Sequence, residues 1–152
     1  MIIYKRIFSD RGAVLMRVLV LNGPNLNLLG QREPSVYGNT GLDVLVNMLK
    51  KYGEELGILV DHVQTNSEGE LIDKLHGAIG QYEGIILNPG AYTHYSYAIR
   101  DAVASIDVPV LEVHISNIYA REEFQPFGYS SCMCRTGKRP GYLWIPISAG
   151  LF

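Results

Sequence analysis

Arg32 and Tyr37 have the types and the spacing of an acid–base pair. They lie five residues apart in a polar segment that contains Pro34 and is bounded by Gly30 and Gly38. A phenol has an ordinary pKa of about 10, and a guanidinium held close to it favours the phenolate. The pair therefore predicts a tyrosine that takes a proton from a bound substrate. A packing role for Tyr37 and a solvated position for Arg32 are the alternatives that the loop itself leaves open.

His114 is the second residue with a chemical role to offer. It lies at the end of an apolar run that contains Glu112 two residues earlier. Side chains two residues apart on a strand point to the same face, so we expect the carboxylate to orient the imidazole. A histidine titrates near neutral pH and can protonate a leaving hydroxyl. The alternative is a core histidine that satisfies its hydrogen bonds within an apolar strand.

No metal site is predicted. The histidines show neither H-x-H nor H-x-x-x-H spacing. Cys132 and Cys134 are separated by one residue, which is cramped for a disulfide and lacks the second pair that a zinc site needs. We therefore expect a reducing compartment and no metal. The four histidines are His62, His76, His94 and His114.

A nucleotide cofactor is not predicted either. Gly23 and Gly30 do not fit G-x-G-x-x-G, and no Gly-Lys-Ser/Thr follows for a P-loop. The formal net charge of −2 offers no broad cationic face for nucleic acid. No apolar run approaches the ~18 residues that cross a bilayer, and no signal peptide is evident. We expect a cytoplasmic protein whose partners are small molecules or copies of itself.

The elements that position these residues follow a βαβ rhythm. From Met16 onwards, short apolar runs alternate with segments of helical periodicity, which is typical of an α/β fold with a parallel sheet. In such a sheet ligands bind outside the carboxyl ends of the strands. The loops after the first, third and fourth strands therefore form one site. Strands are predicted at residues 17–21, 58–63, 84–87 and 108–115, and helices at 42–56, 67–82 and 93–105.

The rhythm ends after Phe124. We expect a single domain over residues 16–152, preceded by an extension of residues 1–15 and carrying an atypical segment at 125–152. Residues 142–147 are apolar enough for a fifth strand. Pro146 within them favours an edge position or no strand, because proline cannot donate to the ladder.

Four sequence blocks carry a family resemblance. In order, LNGPNLNLLGQREPSVYG, QTNSEGELIDKLH, GIILNPGAYTHYSYAIRDA and PVLEVHISNIYAREEF resemble the signature blocks of the type II dehydroquinases, from about Met16 to Phe124. The resemblance implies a flavodoxin-like three-layer sandwich with sheet order 2-1-3-4-5 and a trimer-based dodecamer. It also implies the dehydration of 3-dehydroquinate to 3-dehydroshikimate without metal or cofactor, in the shikimate or quinate pathway.

The resemblance implies roles for the catalytic residues. Tyr37 corresponds to the base that removes the proton alpha to the ketone, and Arg32 to the residue that lowers its pKa. His114 corresponds to the general acid for the departing hydroxyl. Asn25 corresponds to an asparagine that stabilises the enolate through a bound water.

Further residues are implied as substrate contacts. His94 has a second interpretation, as a residue of the first turn of a helix. Asp101 corresponds to a residue that reaches the site from a neighbouring subunit, and Arg121 matches an arginine near the family's site. The positions that match direct substrate contacts are Asn88, His94, Ile115 and Ser116.

The sequence departs from the family pattern at Gln125, which stands where a substrate-binding arginine is usual. Losing one charge-assisted hydrogen bond costs about 1.5–3 kcal/mol, which weakens binding or turnover without abolishing it. A catalytically impaired homologue is therefore the main alternative to an active dehydratase. A flavodoxin-like binder of nucleotide or flavin is the third hypothesis.

Overall fold

A computed structural model of the chain describes residues 16–31 and 40–114, together with the backbone of residues 135–136 and 139–140. Several predicted features lie outside the described residues. They are the extension 1–15, the site residues Arg32, Tyr37, Ile115, Ser116 and Arg121, the departure at Gln125, and the possible fifth strand at 142–147.

Four parallel strands form the main sheet. They are β1 (Met16–Asn22), β2 (Ile58–Gln64), β3 (Gly84–Asn88) and β4 (Val110–Glu112), in the order β2-β1-β3-β4. This confirms the predicted parallel sheet and its order 2-1-3-4. The described backbone near the carboxyl terminus is a separate antiparallel pair, β5 (Arg135–Thr136) and β6 (Arg139–Pro140).

Strand β4 is shorter than predicted. It begins at Val110, because Pro109 has no N–H to donate to the ladder and contributes only its carbonyl, which accepts from Ile85 N at 2.9 Å. Beyond the strand, Val113 N still donates to Leu87 O at 2.9 Å. The backbone that leads to His114 is therefore held against β3.

Three α-helices connect the strands. They are α1 (Leu42–Glu55), α2 (Glu68–Gly77) and α3 (Tyr97–Ser105). Short 3-10 turns cover Leu26–Leu28 after β1 and Gly90–His94 after β3. In the described part of the chain, no helix has the length and apolar character needed to cross a bilayer.

The helices cover both faces of the sheet. Leu21 of β1 packs in the buried core with Leu71 of α2 and Ile99 of α3. Val60 of β2 pairs with the β1 residue three positions before Leu21. Side chains alternate between the two faces along a strand, so Val60 points to the face opposite that of Leu21. There it meets α1, where a Cβ added to Gly53 would lie 2.6 Å from Val60 Cγ2. The result is the predicted three-layer α/β arrangement.

Helix α3 begins four residues later than predicted. Ser96 is its N-cap, and its hydroxyl accepts a hydrogen bond from Ile99 N at 2.9 Å. The preceding residues Gly90–His94 form the separate 3-10 turn. The predicted helix start at Thr93 is therefore wrong, because a serine cap farther along the chain sets the boundary.

Helix α2 begins as predicted and ends early. Ser67 Oγ accepts from Glu70 N at 3.4 Å, which is the cap that the S-x-x-E pattern indicates. The predicted continuation to Tyr82 is wrong, since the helix stops at Gly77 and turns follow. Gly80 has a left-handed φ of 72°, which an α-helix cannot contain.

Candidate functional site

The loops after β1 and β3 are in direct contact at the carboxyl edge of the sheet. Gly23 N donates to Asn88 O at 2.7 Å, and a Cβ on Gly23 would lie 2.7 Å from Pro89 O. Gly90 has a left-handed φ of 59°, and its added Cβ would lie 3.1 Å from Pro24 O. Only glycine permits this approach of the two backbones. The contact places the Asn25 loop beside Asn88.

Asn25 occupies a left-handed conformation, with φ of 67°. Its backbone N donates to Asn66 Oδ1 at 3.0 Å, and Gln64 Nε2 donates to the same Asn66 oxygen at 3.1 Å. Gln64 Nε2 is also 3.2 Å from Gly23 O. Gln64 at the end of β2 and Asn66 after it thus hold the loop that follows β1. The Asn25 side chain stays exposed at the sheet edge.

Asn66 is in turn held by a residue of the loop after β3. The Tyr92 hydroxyl, in the 3-10 turn after β3, donates to Asn66 O at 3.2 Å. The loops after β1, β2 and β3 are therefore joined through one residue. A joined set of loops keeps polar groups at fixed separations, which a binding site for a small rigid substrate requires.

Asn88 is buried at the end of β3. Its Oδ1 accepts from Gly90 N at 3.2 Å, which fixes the side chain over its own loop. In the sheet it lies opposite Asn22 of β1, and the β4 residues that lead to His114 lie on its other side. Asn88 is thus between the Asn25 loop and His114.

His114 and Glu112 form a buried pair after β4. His114 Nε2 lies 2.6 Å from Glu112 Oε1, with the two side chains 8% and 5% exposed. This confirms the expected orientation of the ring by the carboxylate. A carboxylate accepts hydrogen bonds, so Nε2 is assigned as the donor of this pair, and Nδ1 is the other ring nitrogen that can take part in proton transfer. The Thr93 hydroxyl donates to the same Glu112 oxygen.

A second histidine is on the α1 side of the sheet. His62 Nε2 lies 3.0 Å from Asn22 Nδ2, and burial, followed by the charge of Lys50, lowers the pKa of the imidazole. His62 lines a cleft of about 620 Å³ between α1 and the residues after the first 3-10 turn. None of the described candidate residues lines this cleft, so we do not assign it to the same site.

The structure therefore brings together three of the five described candidates, Asn25, Asn88 and His114. His94 ends the 3-10 turn that follows Asn88, so it belongs to the same loop. Asp101 is exposed on α3. The remaining candidates, Arg32, Tyr37, Ile115 and Ser116, lie outside the described residues.

Two supporting residues were not singled out from the sequence. Thr93 enters the sequence prediction only as the first residue of a helix, and its place beside His94 in the block NPGAYTH is the available signal. Asn66 follows β2 in QTNS, at the same edge of the sheet as the other loops, and this position was the available signal.

The described residues hold no group of three or more His, Cys, Asp or Glu side chains placed to bind a metal ion. The polar groups gathered at the carboxyl edge include amides, the imidazoles of His94 and His114, and the Glu112 carboxylate. Such groups suit acid–base chemistry and the stabilisation of an oxyanion.

Comparison with protein families gives one match over most of the chain. The model described as "Dehydroquinase class II" matches residues 16–138. The matched range begins where the compact pattern begins and reaches past Phe124, where the four sequence blocks stop.

Curated relatives agree with this match. The 3-dehydroquinate dehydratase of Bacillus cytotoxicus is 51% identical over 138 residues, which are 91% of this chain and 94% of the relative. The 3-dehydroquinate dehydratase of Pelotomaculum thermopropionicum is 54% identical over 110 residues, 72% of this chain and 76% of the relative.

Solved structures give the same result. The type II dehydroquinase of Butyrivibrio crossotus is similar with a TM-score of 0.74 at 50% identity, over 78% of this chain and 83% of that one. The type II dehydroquinase of Propionibacterium acnes is similar with a TM-score of 0.73 at 46% identity, over 78% and 81% of the two chains.

Proposed function

Because this chain belongs to the class II dehydroquinase family, we propose that it is a 3-dehydroquinate dehydratase, a hydro-lyase of the shikimate or quinate pathway. The family match over residues 16–138 carries the proposal. The buried His114–Glu112 pair beside Asn88 supports it, since the reaction needs an acid held at the carboxyl edge of the sheet.

The first step is proton abstraction. Tyr37, as the phenolate favoured by Arg32, takes the proton alpha to the ketone of 3-dehydroquinate. The electrons of the broken C–H bond move into the carbonyl, which becomes an enolate. Asn25 lies on a loop held by Asn66 and stabilises the enolate oxygen through a bound water.

The second step is loss of the hydroxyl. The enolate reforms the ketone and expels the hydroxyl at the beta carbon, while His114 supplies the proton that converts it to water. The product is the enone 3-dehydroshikimate. The pairing of His114 Nε2 with Glu112 keeps a proton on that nitrogen and turns Nδ1 to the substrate.

The remaining candidates bind the substrate. Asn88 and His94 contact it from the loop after β3, and the Ile115 amide and Ser116 hydroxyl grip its carboxylate. Asp101, exposed on α3, reaches the site of a neighbouring subunit in a trimer-based dodecamer. The enzyme works in the cytoplasm and uses neither metal nor cofactor.

A turnover assay on the full chain tests the proposal. Addition of 3-dehydroquinate should give the near-ultraviolet absorbance of an enone, unaffected by a chelator or by borohydride. The Tyr37→Phe variant should still bind substrate and lose nearly all turnover. No absorbance change with the parent chain at high concentration contradicts the dehydratase, and full turnover by Tyr37→Phe removes this residue from the mechanism.

An impaired homologue is the second candidate, favoured by the Gln125 departure. It predicts normal assembly with weak or no turnover. The Gln125→Arg variant should then gain roughly ten- to a hundredfold in kcat/KM, because it restores one charge-assisted contact. If the parent chain already turns over at a rate that Gln125→Arg does not improve, the impairment hypothesis fails.

A further inference from the structure

The Glu112 carboxylate receives two hydrogen bonds on the same oxygen. His114 Nε2 lies 2.6 Å from Oε1, and the Thr93 hydroxyl donates to that oxygen as well. The other oxygen, Oε2, is buried and has no hydrogen-bond partner in the described part of the chain. A buried carboxylate is unfavourable unless it is hydrogen-bonded. These two donors therefore fix its orientation.

Thr93 is placed to serve as one of these donors. It is fully buried, at 0% exposure, within the 3-10 turn Gly90–His94 and 19 residues from Glu112 along the chain. A buried hydroxyl needs an acceptor, and the Thr93 hydroxyl finds it in the Glu112 carboxylate. If packing alone were required, valine would fill the same volume without the polar group.

We propose that Thr93 is a positioning residue for the general acid. Its hydroxyl holds the Glu112 carboxylate where it accepts the Nε2 proton of His114, which directs Nδ1 to the substrate. The inference rests on the proposed function, in which His114 protonates the leaving hydroxyl. Thr93 directly precedes His94 in the same 3-10 turn. That turn therefore carries both a proposed substrate contact and the residue that positions the general acid.

Thr93→Val removes the hydroxyl and keeps the shape, and Thr93→Ser keeps the hydroxyl. We expect Thr93→Val to lower kcat roughly ten- to a hundredfold with little change in KM, because one hydrogen bond to a charged group is lost.

Thr93→Ser should return kcat close to that of the parent. Equal losses of kcat in the serine and valine variants would mean that Thr93 is merely structural and would overturn the proposal. Thr93→Ala also removes the hydroxyl and provides the same measurements if the valine variant does not fold.

A double-mutant cycle tests whether Thr93 acts through Glu112. In a Glu112→Gln background, Thr93→Val should lower kcat much less than it does in the parent. If the losses of kcat caused by the two substitutions multiply, Thr93 and Glu112 act independently. That result would contradict the proposal that Thr93 acts through Glu112.

A spectroscopic measurement separates this inference from the proposed function. If the parent chain has no turnover, the dehydratase proposal fails, and the ¹⁵N spectrum of histidine-labelled full chain still tests Thr93. Thr93→Val should reduce the Nε2-protonated tautomer of His114 relative to Thr93→Ser. The same tautomer population in both variants would overturn the inference.

Discussion

Asn66 Oδ1 lies 3.0 Å from the backbone nitrogen of Asn25 and thereby holds a residue with a left-handed φ of 67°. The two residues are 41 positions apart in the chain. Non-glycine residues are seldom left-handed, and the surrounding contacts must maintain the conformation. The position of the Asn25 loop thus depends on the side-chain amide of Asn66, which follows the neighbouring strand β2.

We predict that Asn66→Ala lowers kcat roughly two- to tenfold, the effect of one neutral hydrogen bond. The variant removes the acceptor for Asn25 N and leaves the Asn25 side chain in place. Steady-state kinetics with 3-dehydroquinate measures the effect. Asn47→Ala, at an exposed position of α1, is the matched control and should retain parent activity. Equal kcat values for the two variants would contradict the prediction.

Gly23→Ala is predicted to destabilise the fold. The new Cβ would lie 2.7 Å from Pro89 O, which is backbone and cannot rotate away. Overpacking of this kind costs about 1–3 kcal/mol. Gly77→Ala is the control, because no atom lies within 4 Å of its added Cβ, and alanine should gain about 0.4–1 kcal/mol there. Urea denaturation compares the two, and a stable Gly23→Ala chain would mean that the loops can separate without loss.

Much of this architecture follows from the sequence. Alternating apolar runs predict the parallel sheet, and the carboxyl-edge rule then collects Asn25, Asn88 and His114 at one edge. The period of two along a strand also predicts the contact between Glu112 and His114.

The supporting contacts could not be predicted, because they join loops that are distant in the chain. Nothing in the local pattern indicates that Thr93 meets Glu112 or that Asn66 meets Asn25. The helix start at Thr93 was predicted wrongly for a related reason. Helical periodicity does not distinguish a 3-10 turn followed by a serine cap at Ser96 from one continuous helix.

The ion pair at the amino edge of the sheet predicts a dependence of stability on acid. Arg17 Nη2 lies 2.7 Å from Asp61 Oδ2, and the hydrogen bond from this guanidinium, with a further one from the Tyr82 hydroxyl, lowers the pKa of Asp61. A carboxyl whose pKa is lower in the folded chain than in the unfolded chain stabilises the fold when the pH is above the unfolded pKa of about 4. That contribution is lost as the pH falls through the folded value.

Asp61→Asn should therefore lower Tm at neutral pH, by an amount that shrinks as the pH drops below about 4. Both partners are more than a third exposed, so the effect is also expected to weaken in high salt. Thermal unfolding across pH measures it. Asp73→Asn, at an exposed position of α2, should change Tm little at any pH. A constant difference between Asp61→Asn and the parent would contradict the linkage.

His62 predicts a second pH dependence, which begins as the pH falls below the ordinary histidine value of about 6.5. Burial lowers the pKa of His62, with a smaller contribution from Lys50, and its Nε2 lies 3.0 Å from Asn22 Nδ2. The unfolded chain therefore binds a proton more readily than the folded one as the pH falls below about 6.5. The stability that the neutral imidazole provides is present above this value and is lost as the pH falls toward the folded value.

His62→Gln should reduce this slope, because glutamine does not titrate and can still accept from Asn22. The Tm of the variant should change less than that of the parent between about pH 7 and 5, and the two should run parallel above pH 7. His76→Gln, at an exposed position of α2, controls for the loss of a histidine and should retain the parent slope. If Tm depends on pH in the same way for His62→Gln and His76→Gln, His62 binds a proton as readily in the folded chain as in the unfolded chain. Burial would then not lower its pKa, and the prediction would be wrong.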